Sequence, residues 1–198
     1  MRIVLASGNA EKLRELAALL APLGHELVTQ SSLGIETPPE TGTTFVENAL
    51  LKARYAAAKS GLPALADDSG IEVDALGGRP GVYSARYAGE GASDRDNLEK
   101  MLAELRDVPV ERRTARYQCV IVLVRSAEDG APLIAHGTWE GRVLSAPRGT
   151  GGFGYDPIFQ PDGETITAAE LTPAEKNARS HRGQALRALV AQLRHKDL

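Results

Sequence analysis

The sequence has little of several features that mark specialised classes of protein. It contains one cysteine, Cys119, so no disulfide can form within the chain and a reducing compartment is expected. Its longest apolar run is about six residues, far short of the roughly 20 that a membrane-spanning helix needs. Its opening residues, MRIVLA, are too few for the apolar part of a signal peptide. These absences predict a soluble, cytoplasmic protein with no membrane partner.

Neither sign of charge dominates the sequence. Its 198 residues include 23 lysines and arginines against 26 aspartates and glutamates, which leaves a net charge of −3. A duplex-binding protein usually has a basic face and a high isoelectric point, so no nucleic-acid partner is expected. A small phosphorylated ligand, held by a few local cations, is compatible with this balance.

What the sequence does have is an alternation of short apolar runs and helical periodicity. Arg2–Ala6 is an apolar run that ends in the turn Ser7–Asn9, and leucines then recur at helical spacing from Leu13 to Leu23. Glu26–Thr29 has the pattern of a second strand. Strand, tight turn, helix and strand form a βαβ unit, which buries a parallel sheet under helices.

The rest of the chain continues this alternation. Thr44 and Glu47 form a capping box that opens a helix running to about Lys59. A helix over Asp94–Leu105 and two C-terminal helical segments, the first opened by a capping box at Thr172, follow from the same rules. We predict strands over Ala64–Ala66, Ile71–Val73, Ala115–Arg125 and Pro132–Leu144, the last two as a hairpin. The whole chain, 1–198, is predicted to be one α/β domain with two lobes hinged near residues 75–115.

Four short motifs carry residues suited to chemistry, and the first is the turn Ser7-Gly8-Asn9-Ala10-Glu11-Lys12. Its glycine allows close approach of the backbone, and the helix that follows directs free N–H groups outward. Lys12 lies one turn into that helix and can reach an anion. The spacing is not that of a P-loop. The alternative is that Asn9 only caps the helix and that Lys12 is a solvated charge.

The second motif is Asp67-Asp68-Ser69-Gly70, which follows a short predicted strand. Adjacent carboxylates point to opposite sides of an extended backbone, so one is expected to face a cleft and the other to support it. The carboxyl ends of strands are where α/β sheets place ligands, and a carboxylate there suits Mg²⁺. The alternative is a polar turn.

The third motif is the loop Gly151-Gly152-Phe153-Gly154-Tyr155-Asp156-Pro157. Its glycines let the backbone pass close to a flat ligand, on which Phe153 or Tyr155 could stack. Asp156 could accept hydrogen bonds from N–H groups of a base. The alternative is a mobile turn between strands.

The fourth motif is Lys176 with Ser180-His181-Arg182-Gly183, on or between the final helical segments. Its cations lie within about two helical turns of one another. A solvated basic helix face is the alternative, and His181 could equally be a satisfied helix-terminal histidine.

Together these motifs resemble the inosine triphosphate pyrophosphatase family, whose members are also described as dITP/XTP pyrophosphatases. The matching blocks are SGNAEK at 7–12, ADDSG at 66–70, LGGRPGVYSARYAG at 76–89, GTGGFGYDPIF at 149–159 and SHRGQAL at 180–186. They are collinear from Arg2 to the last helix, so the resemblance covers nearly the whole chain. The family's first motif often begins with threonine, and Ser7 keeps the hydroxyl.

The resemblance implies a mixed, elongated central sheet flanked by helices, with two lobes and an active-site cleft between them. It also implies a Mg²⁺-dependent homodimer that hydrolyses deaminated purine nucleoside triphosphates such as ITP, dITP and XTP. Water would attack the α-phosphorus and release a monophosphate and pyrophosphate, which would cleanse the nucleotide pool.

Site residues follow from the same resemblance. Asp68 would be the catalytic carboxylate and, with Glu40, a metal ligand. The residues that would contact the triphosphate are Ser7, Gly8, Asn9, Ala10, Glu11, Lys12, Lys52 and Lys176, and Ser69 would also contact substrate. The residues that would recognise the base are Phe153, Gly154, Tyr155, Asp156, His181 and Arg182.

Two alternatives to this function stay open. The septum-associated nucleotide hydrolases share a similar βα opening, but they lack the SHRG helix. A nucleotide-sensing module would bind purine triphosphates without turnover, and it would not need both Glu40 and Asp68. Steady release of pyrophosphate from ITP with Mg²⁺, absent in EDTA, distinguishes an enzyme from a sensor.

The lysine assignments generate a first prediction. Lys12→Ala and Lys176→Ala should each weaken the binding of ITP more than that of IMP, because IMP lacks the β- and γ-phosphates that a point charge would contact. Calorimetric titration of each variant with both nucleotides measures this. Equal losses of affinity for IMP and ITP would show that the lysine is not a ligand of the triphosphate.

Overall fold

The computed structural model describes residues 2–8, 10, 13, 14, 16, 17 and 24–193. Residues 10, 13, 14, 16 and 17 are helical, as the leucine spacing predicts for this segment. Asn9, Glu11 and Lys12 of the first motif lie outside the described residues.

The described elements follow the predicted order closely. The strands are β1 (Arg2–Leu5), β2 (Glu26–Thr29), β3 (Ala64–Val73), β4 (Thr114–Val124), β5 (Leu133–Val143) and β6 (Phe159–Pro161). The longer helices of residues 24–193 are α1 (Phe45–Ser60), α2 (Asp94–Glu104), α3 (Pro173–Arg179) and α4 (His181–Leu193). The predicted capping boxes at Thr44 and Thr172 are both formed.

The six strands form one mixed sheet in the order β2-β1-β3-β4-β5-β6. Strand β1 pairs in parallel with β2 and with β3, which confirms the predicted βαβ opening. Strand β6 pairs antiparallel with β5. The connection between the neighbouring strands β4 and β5, residues 125–132, is shorter than the dozen or so residues that a parallel crossover needs, so these strands form the predicted hairpin. The α/β class and the mixed sheet are therefore confirmed.

The chain divides into two compact units. The first comprises Met1–Asp68, Cys119–Gly137 and Gly183–Leu198, and the second comprises Ser69–Gln118 and Thr138–Arg182. Residues 75–115, where we predicted a hinge, lie inside the second unit. The predicted cleft between two lobes stays a prediction.

The first unit has helices on both faces of its strands. Along β4, Cys119, Ile121 and Leu123 belong to one apolar cluster, and Val120, Val122 and Val124 belong to another. Alternate residues of a strand point to opposite faces, so a strand buried on both faces is apolar throughout. Helix α4 packs into the first cluster through Ala185, Leu186 and Leu189, and α1 packs into the second through Ala49, Ala53, Ala56 and Ala57. The alanine face lets α1 approach the strands closely.

The second unit has its own aromatic core. Tyr117, Trp139 and Phe159 pack together, and the ring centroids of Tyr117 and Phe159 are 4.6 Å apart in an edge-on arrangement. Helix α2 closes this core with Leu98 and Met101, and its C-cap residue Leu105 packs beside them. This core supports the glycine-rich loop of residues 149–157.

Two local differences from the predicted elements bear on the site. Asp67–Gly70 was predicted to lie at a strand end, but β3 continues through it as one strand of ten residues. The extended backbone persists there because the buried Asp68 has side-chain partners on α1 and does not need a turn to reach water. The short strand β6 was not predicted, because three residues are too few to show the alternation of apolar and polar side chains that marks a strand.

No helix within the described part of the chain is both long and apolar enough to cross a membrane.

Candidate active site

The predicted site residues form two groups, one in each unit. The first group gathers around the ammonium of Lys52, which α1 places in the interior of the first unit. Lys52 Nζ lies 2.6 Å from Glu40 Oε1 and 3.1 Å from Asp68 Oδ1, and Lys52 is only 4% exposed. Two carboxylates from different parts of the chain thus converge on one buried cation.

The charge of Lys52 is maintained by its surroundings. Burial by itself lowers the pKa of Lys52, but the negative charges of Asp68, Asp67 and Glu40 and the hydrogen bond to Glu40 outweigh burial and raise that pKa above its ordinary value. The ammonium therefore stays protonated at neutral pH. Asp67, the neighbour of Asp68 in β3, is also buried.

Asn48 is a member of this group that sequence reasoning missed. Its amide Nδ2 donates to Asp68 Oδ2 at 3.2 Å, and its Oδ1 accepts from the Gly42 N–H at 2.8 Å. The side chain is fully buried. It therefore links Asp68 to the segment that carries Glu40. Two signals were available: Asn48 and Lys52 are four residues apart on α1 and share a face, and an asparagine on a buried helix face needs partners.

The oxygen donors of this group fit a hard divalent cation. Such cations prefer carboxylate oxygens, and Mg²⁺ in particular is usually bound by one or two carboxylates together with substrate phosphates. Within the described ranges, no three His, Cys, Asp or Glu side chains assemble as a metal site. Glu40 and Asp68 are the two carboxylates that already share a cation here, so they are the residues that could hold one.

The described part of the first motif faces a concave surface in the same unit. Ser7, Gly8 and Ala10 line an open pocket of about 540 Å³ together with Gln30 and Thr37. Gln30 Nε2 donates to Thr37 Oγ1 at 2.6 Å, and a Cβ at position 8 would lie 2.9 Å from that hydroxyl oxygen. Glycine at this position keeps the turn and Thr37 in close contact.

The second group is organised around the buried carboxylate of Asp156. Its Oδ2 accepts from the Phe153 N–H at 2.9 Å and from Lys176 Nζ at 2.7 Å, and its Oδ1 accepts from the Tyr117 hydroxyl at 3.2 Å. Gly152 has φ +68°, and a Cβ there would collide with this carboxylate. Both oxygens of Asp156 thus bond to the protein itself, whereas the sequence suggested that they bond to a base.

Phe153 lies in the middle of the predicted base-recognition residues. Lys176 Nζ is 4.6 Å and Arg182 Cζ is 5.6 Å from the centroid of its ring. Arg182 is 2% exposed, and its Nη2 donates to the Ser69 hydroxyl at 3.1 Å. Lys176, expected to contact the triphosphate, is placed with these residues, and its assignment to the triphosphate stays a prediction.

His181 stacks on the aromatic core of this unit. Its ring is 4.6 Å from that of Tyr117, with 8° between the planes, and 6.5 Å from that of Trp139. Burial and the nearby Asp156 carboxylate raise the pKa of Tyr117 well above its ordinary value. The Tyr117 hydroxyl therefore keeps its proton and can donate to Asp156. Tyr117 and Trp139 are further residues that sequence reasoning missed, because both lie in ordinary apolar strand patterns.

Tyr155 requires a correction. We expected Phe153 or Tyr155 to offer a ring for stacking, but Tyr155 is 4% exposed and belongs to the core. Its hydroxyl donates to the backbone oxygen of Ser84 at 2.8 Å. A buried phenol needs such a partner, and because its ring is packed in the core, Tyr155 presents no open face for stacking. Of the two aromatic side chains, Phe153 is the one placed for stacking.

Comparison with known proteins adds independent information. A family model described as the Ham1 family matches residues 3–192. The dITP/XTP pyrophosphatase of Shigella flexneri is 59% identical over 194 residues, and that of Escherichia coli strain K12 is 57% identical over 194 residues. Both alignments cover 98% of this chain and 98% of the relative.

Solved structures agree with this result. A HAM1 protein from Coxiella burnetii matches with a TM-score of 0.92 at 50% identity, over 99% of this chain and 100% of that one. The Ham1 protein of Staphylococcus aureus matches with a TM-score of 0.88 at 38% identity, over the whole of both chains. The similarity therefore extends to the complete fold.

Asn48 generates a prediction of stability. Asn48→Ala removes the acceptor of the Gly42 N–H and a donor to Asp68 in a buried setting, so the free energy of unfolding should fall by about 1–3 kcal/mol. Urea denaturation followed by circular dichroism measures it. Lys59→Ala, at an exposed position of the same helix, is the control and should change stability by less than about 0.5 kcal/mol. A similarly small change in Asn48→Ala would contradict the prediction.

Proposed function

The chain is a member of the Ham1 family, and on that premise we propose that it is a nucleoside-triphosphate pyrophosphatase that hydrolyses deaminated purine nucleotides such as ITP, dITP and XTP. The products are the nucleoside monophosphate and pyrophosphate. The observation that carries the proposal is the convergence of Glu40 and Asp68 on the buried Lys52 ammonium, in a chain whose relatives bear this activity in their names.

The first group suits attack at a phosphoryl centre. Phosphoryl transfer depends on neutralising charge and aligning the attacking group more than on covalent chemistry from the protein. In this proposal, Asp68 orients and activates a water molecule that attacks the α-phosphorus. Lys52 supplies positive charge toward the triphosphate, and Asn48 fixes the second oxygen of the Asp68 carboxylate.

Mg²⁺ is the cofactor of this proposal, and Glu40 and Asp68 are the residues that would hold it. When bound, a divalent cation supplies charge neutralisation on the phosphates and a Lewis acid for the reaction. The two carboxylates match the small number of protein ligands that this ion usually takes beside a nucleotide. Ser7, Gly8 and Ala10 would contact the phosphates through the open pocket that they line.

The second group suits recognition of the purine. Phe153 offers a ring face, and Arg182 offers fixed donors that suit the 6-oxo acceptor of hypoxanthine and xanthine. Adenine carries an amino donor at that position and would leave the donors unsatisfied, at a cost of about 1–3 kcal/mol. The burial of Arg182 supports this role, since desolvated donors discriminate most strongly.

A homodimer in the cytoplasm, acting on free nucleotides and not on nucleic acid, completes the proposal. Light scattering coupled to size-exclusion chromatography tests the dimer. Release of pyrophosphate from ITP with Mg²⁺, measured with and without EDTA, tests the activity itself. Binding of ITP without release of pyrophosphate would replace the enzyme with the nucleotide sensor.

The role of Asp68 generates a prediction. Asp68→Asn keeps the size of the side chain but removes the charge that holds a metal ion and polarises water, so more than nine-tenths of kcat should be lost while the protein still folds. Steady-state release of pyrophosphate and a thermal unfolding scan measure the two parts. Asp107→Asn, an equal change at an exposed acid, is the control. A kcat above a tenth of the wild-type value, which is a barrier change under about 1.4 kcal/mol, would rule out this role.

Base choice generates a second prediction. Arg182→Ala should lower kcat/KM for ITP much more than for ATP, so that the preference for ITP shrinks by about 1–3 kcal/mol. Phe153→Ala should lower both values together, because a ring face stacks on any purine. Measuring kcat/KM for both nucleotides in both variants decides between the roles. An unchanged ratio in Arg182→Ala would place discrimination in the backbone of residues 151–156.

A further inference from the structure

The loop that carries Phe153 is rich in glycine, so its own residues restrict the backbone conformation little. Gly149, Gly152 and Gly154 all have positive φ, between +63° and +81°. Glycine has more conformational freedom than any other residue, so a loop with three such positions needs specific contacts to hold one conformation. The contacts next to Phe153 therefore determine where its ring lies.

Both peptide groups that flank Phe153 donate to a carboxylate. The N–H of Phe153 itself donates to Asp156 Oδ2 at 2.9 Å, within the loop. The N–H of the next residue, Gly154, donates to Asp94 Oδ2 at 2.7 Å, sixty positions away in the chain. The Cα of Phe153 is thus held on both sides by hydrogen bonds to charged acceptors, which are stronger than bonds between neutral groups.

Asp94 is mounted on a rigid support. It is the first residue of α2, whose N-cap Ser93 forms a capping box with Asp96. Asn97 of the same helix accepts from the Ala88 N–H at 2.7 Å and donates to the backbone oxygen of Ala85 at 3.1 Å. Leu98 and Met101 bury the helix in the core of the second unit. The Asp94 carboxylate is therefore fixed relative to that core.

Direct packing between α2 and the loop is incomplete. Asp94 and Gly154 both line an open cavity of about 580 Å³, together with Leu98, Leu102 and Gly151. Where two segments face a cavity, few apolar contacts fix their separation, and a hydrogen bond across them carries more of the restraint. The hydrogen bond from the Gly154 N–H to Asp94 spans the two segments at the edge of this cavity.

We propose that Asp94 is a positioning residue for purine binding: its carboxylate holds the peptide group after Phe153 and so orients the ring on which the base stacks. This inference rests on the proposed function. Asp94 acts through Phe153, so its loss should weaken the binding of every purine nucleotide alike. It should not change the step at the phosphorus, and it should not change the preference of ITP over ATP.

Amide exchange tests the restraint without reference to activity. Hydrogen–deuterium exchange of peptides covering residues 149–159 should show faster exchange at Gly154 in Asp94→Ala, by about two- to tenfold. Asp94→Asn keeps an oxygen acceptor and should fall between Asp94→Ala and the wild type. Asp107→Ala is the matched control, because it removes an equal charge from an exposed position just beyond the C-terminal end of α2, away from the capping box that supports Asp94. It should leave exchange at residues 149–159 unchanged.

Kinetics test the consequence for substrate. Asp94→Ala should raise KM for ITP and for ATP by a similar factor, about two- to tenfold, with kcat within about twofold of the wild type. A substitution that only destabilises the fold lowers the active fraction, and with it kcat, while leaving KM unchanged. Asp107→Ala should show that second pattern or no change.

The outcomes separate the inference from the function on which it rests. Unchanged exchange at Gly154 in Asp94→Ala overturns the restraint, and faster exchange with an unchanged KM overturns its role in purine binding. Either result leaves the proposed function intact if the wild type releases pyrophosphate. A wild type that releases none from any purine triphosphate contradicts the proposed function, and the role of Asp94 in purine binding falls with it.

Discussion

The arrangement of several elements in the first unit depends on the burial of one ammonium group. Removing a charge such as that of Lys52 from water costs several kcal/mol unless opposite charges and hydrogen bonds compensate. Glu40 and Asp68 provide that compensation, and they do so from different parts of the chain. The cap at Thr44 that starts α1, the continuation of β3 through Asp68 and the bond from Asn48 to the Glu40 segment all keep these three groups in contact. The contacts with this one cation therefore link α1, β3 and the segment that carries Glu40.

The two groups of site residues are built on different physical principles. The first is ionic: its members are carboxylates and a cation held at short distances. The second is aromatic: Phe153 and His181 are positioned by stacking and by hydrogen bonds to the loop backbone. Phosphate chemistry requires charge, whereas recognition of a planar base requires flat surfaces and directed donors. Each unit therefore supplies the kind of environment that its part of the proposed reaction needs.

Much of the fold follows from local pattern. The apolar period of α2, the capping box at Thr44 and the βαβ opening each specify an element within a few residues, and all are found. The contributions of Asn48, Tyr117 and Asp94 could not be predicted in the same way, because each depends on a partner 20 to 60 positions away in the chain. Tyr155 shows the converse: an aromatic among glycines has the pattern of a ligand contact, and only the packing of its ring reveals a core residue.

The alanine face of α1 makes this helix intolerant of larger side chains. Ala49, Ala53 and Ala56 are completely buried against the strands, so an added methylene has no space and the helix must move outward to accept it. Asn48 and Lys52 lie beside these alanines on the same helix, and an outward shift of about 1 Å would lengthen the contacts that both make with Asp68. Larger residues at the three alanines should therefore reduce turnover at substitutions that still allow the protein to be expressed. In this helix, the residues that build the core and the residues proposed to act on the substrate are adjacent in sequence.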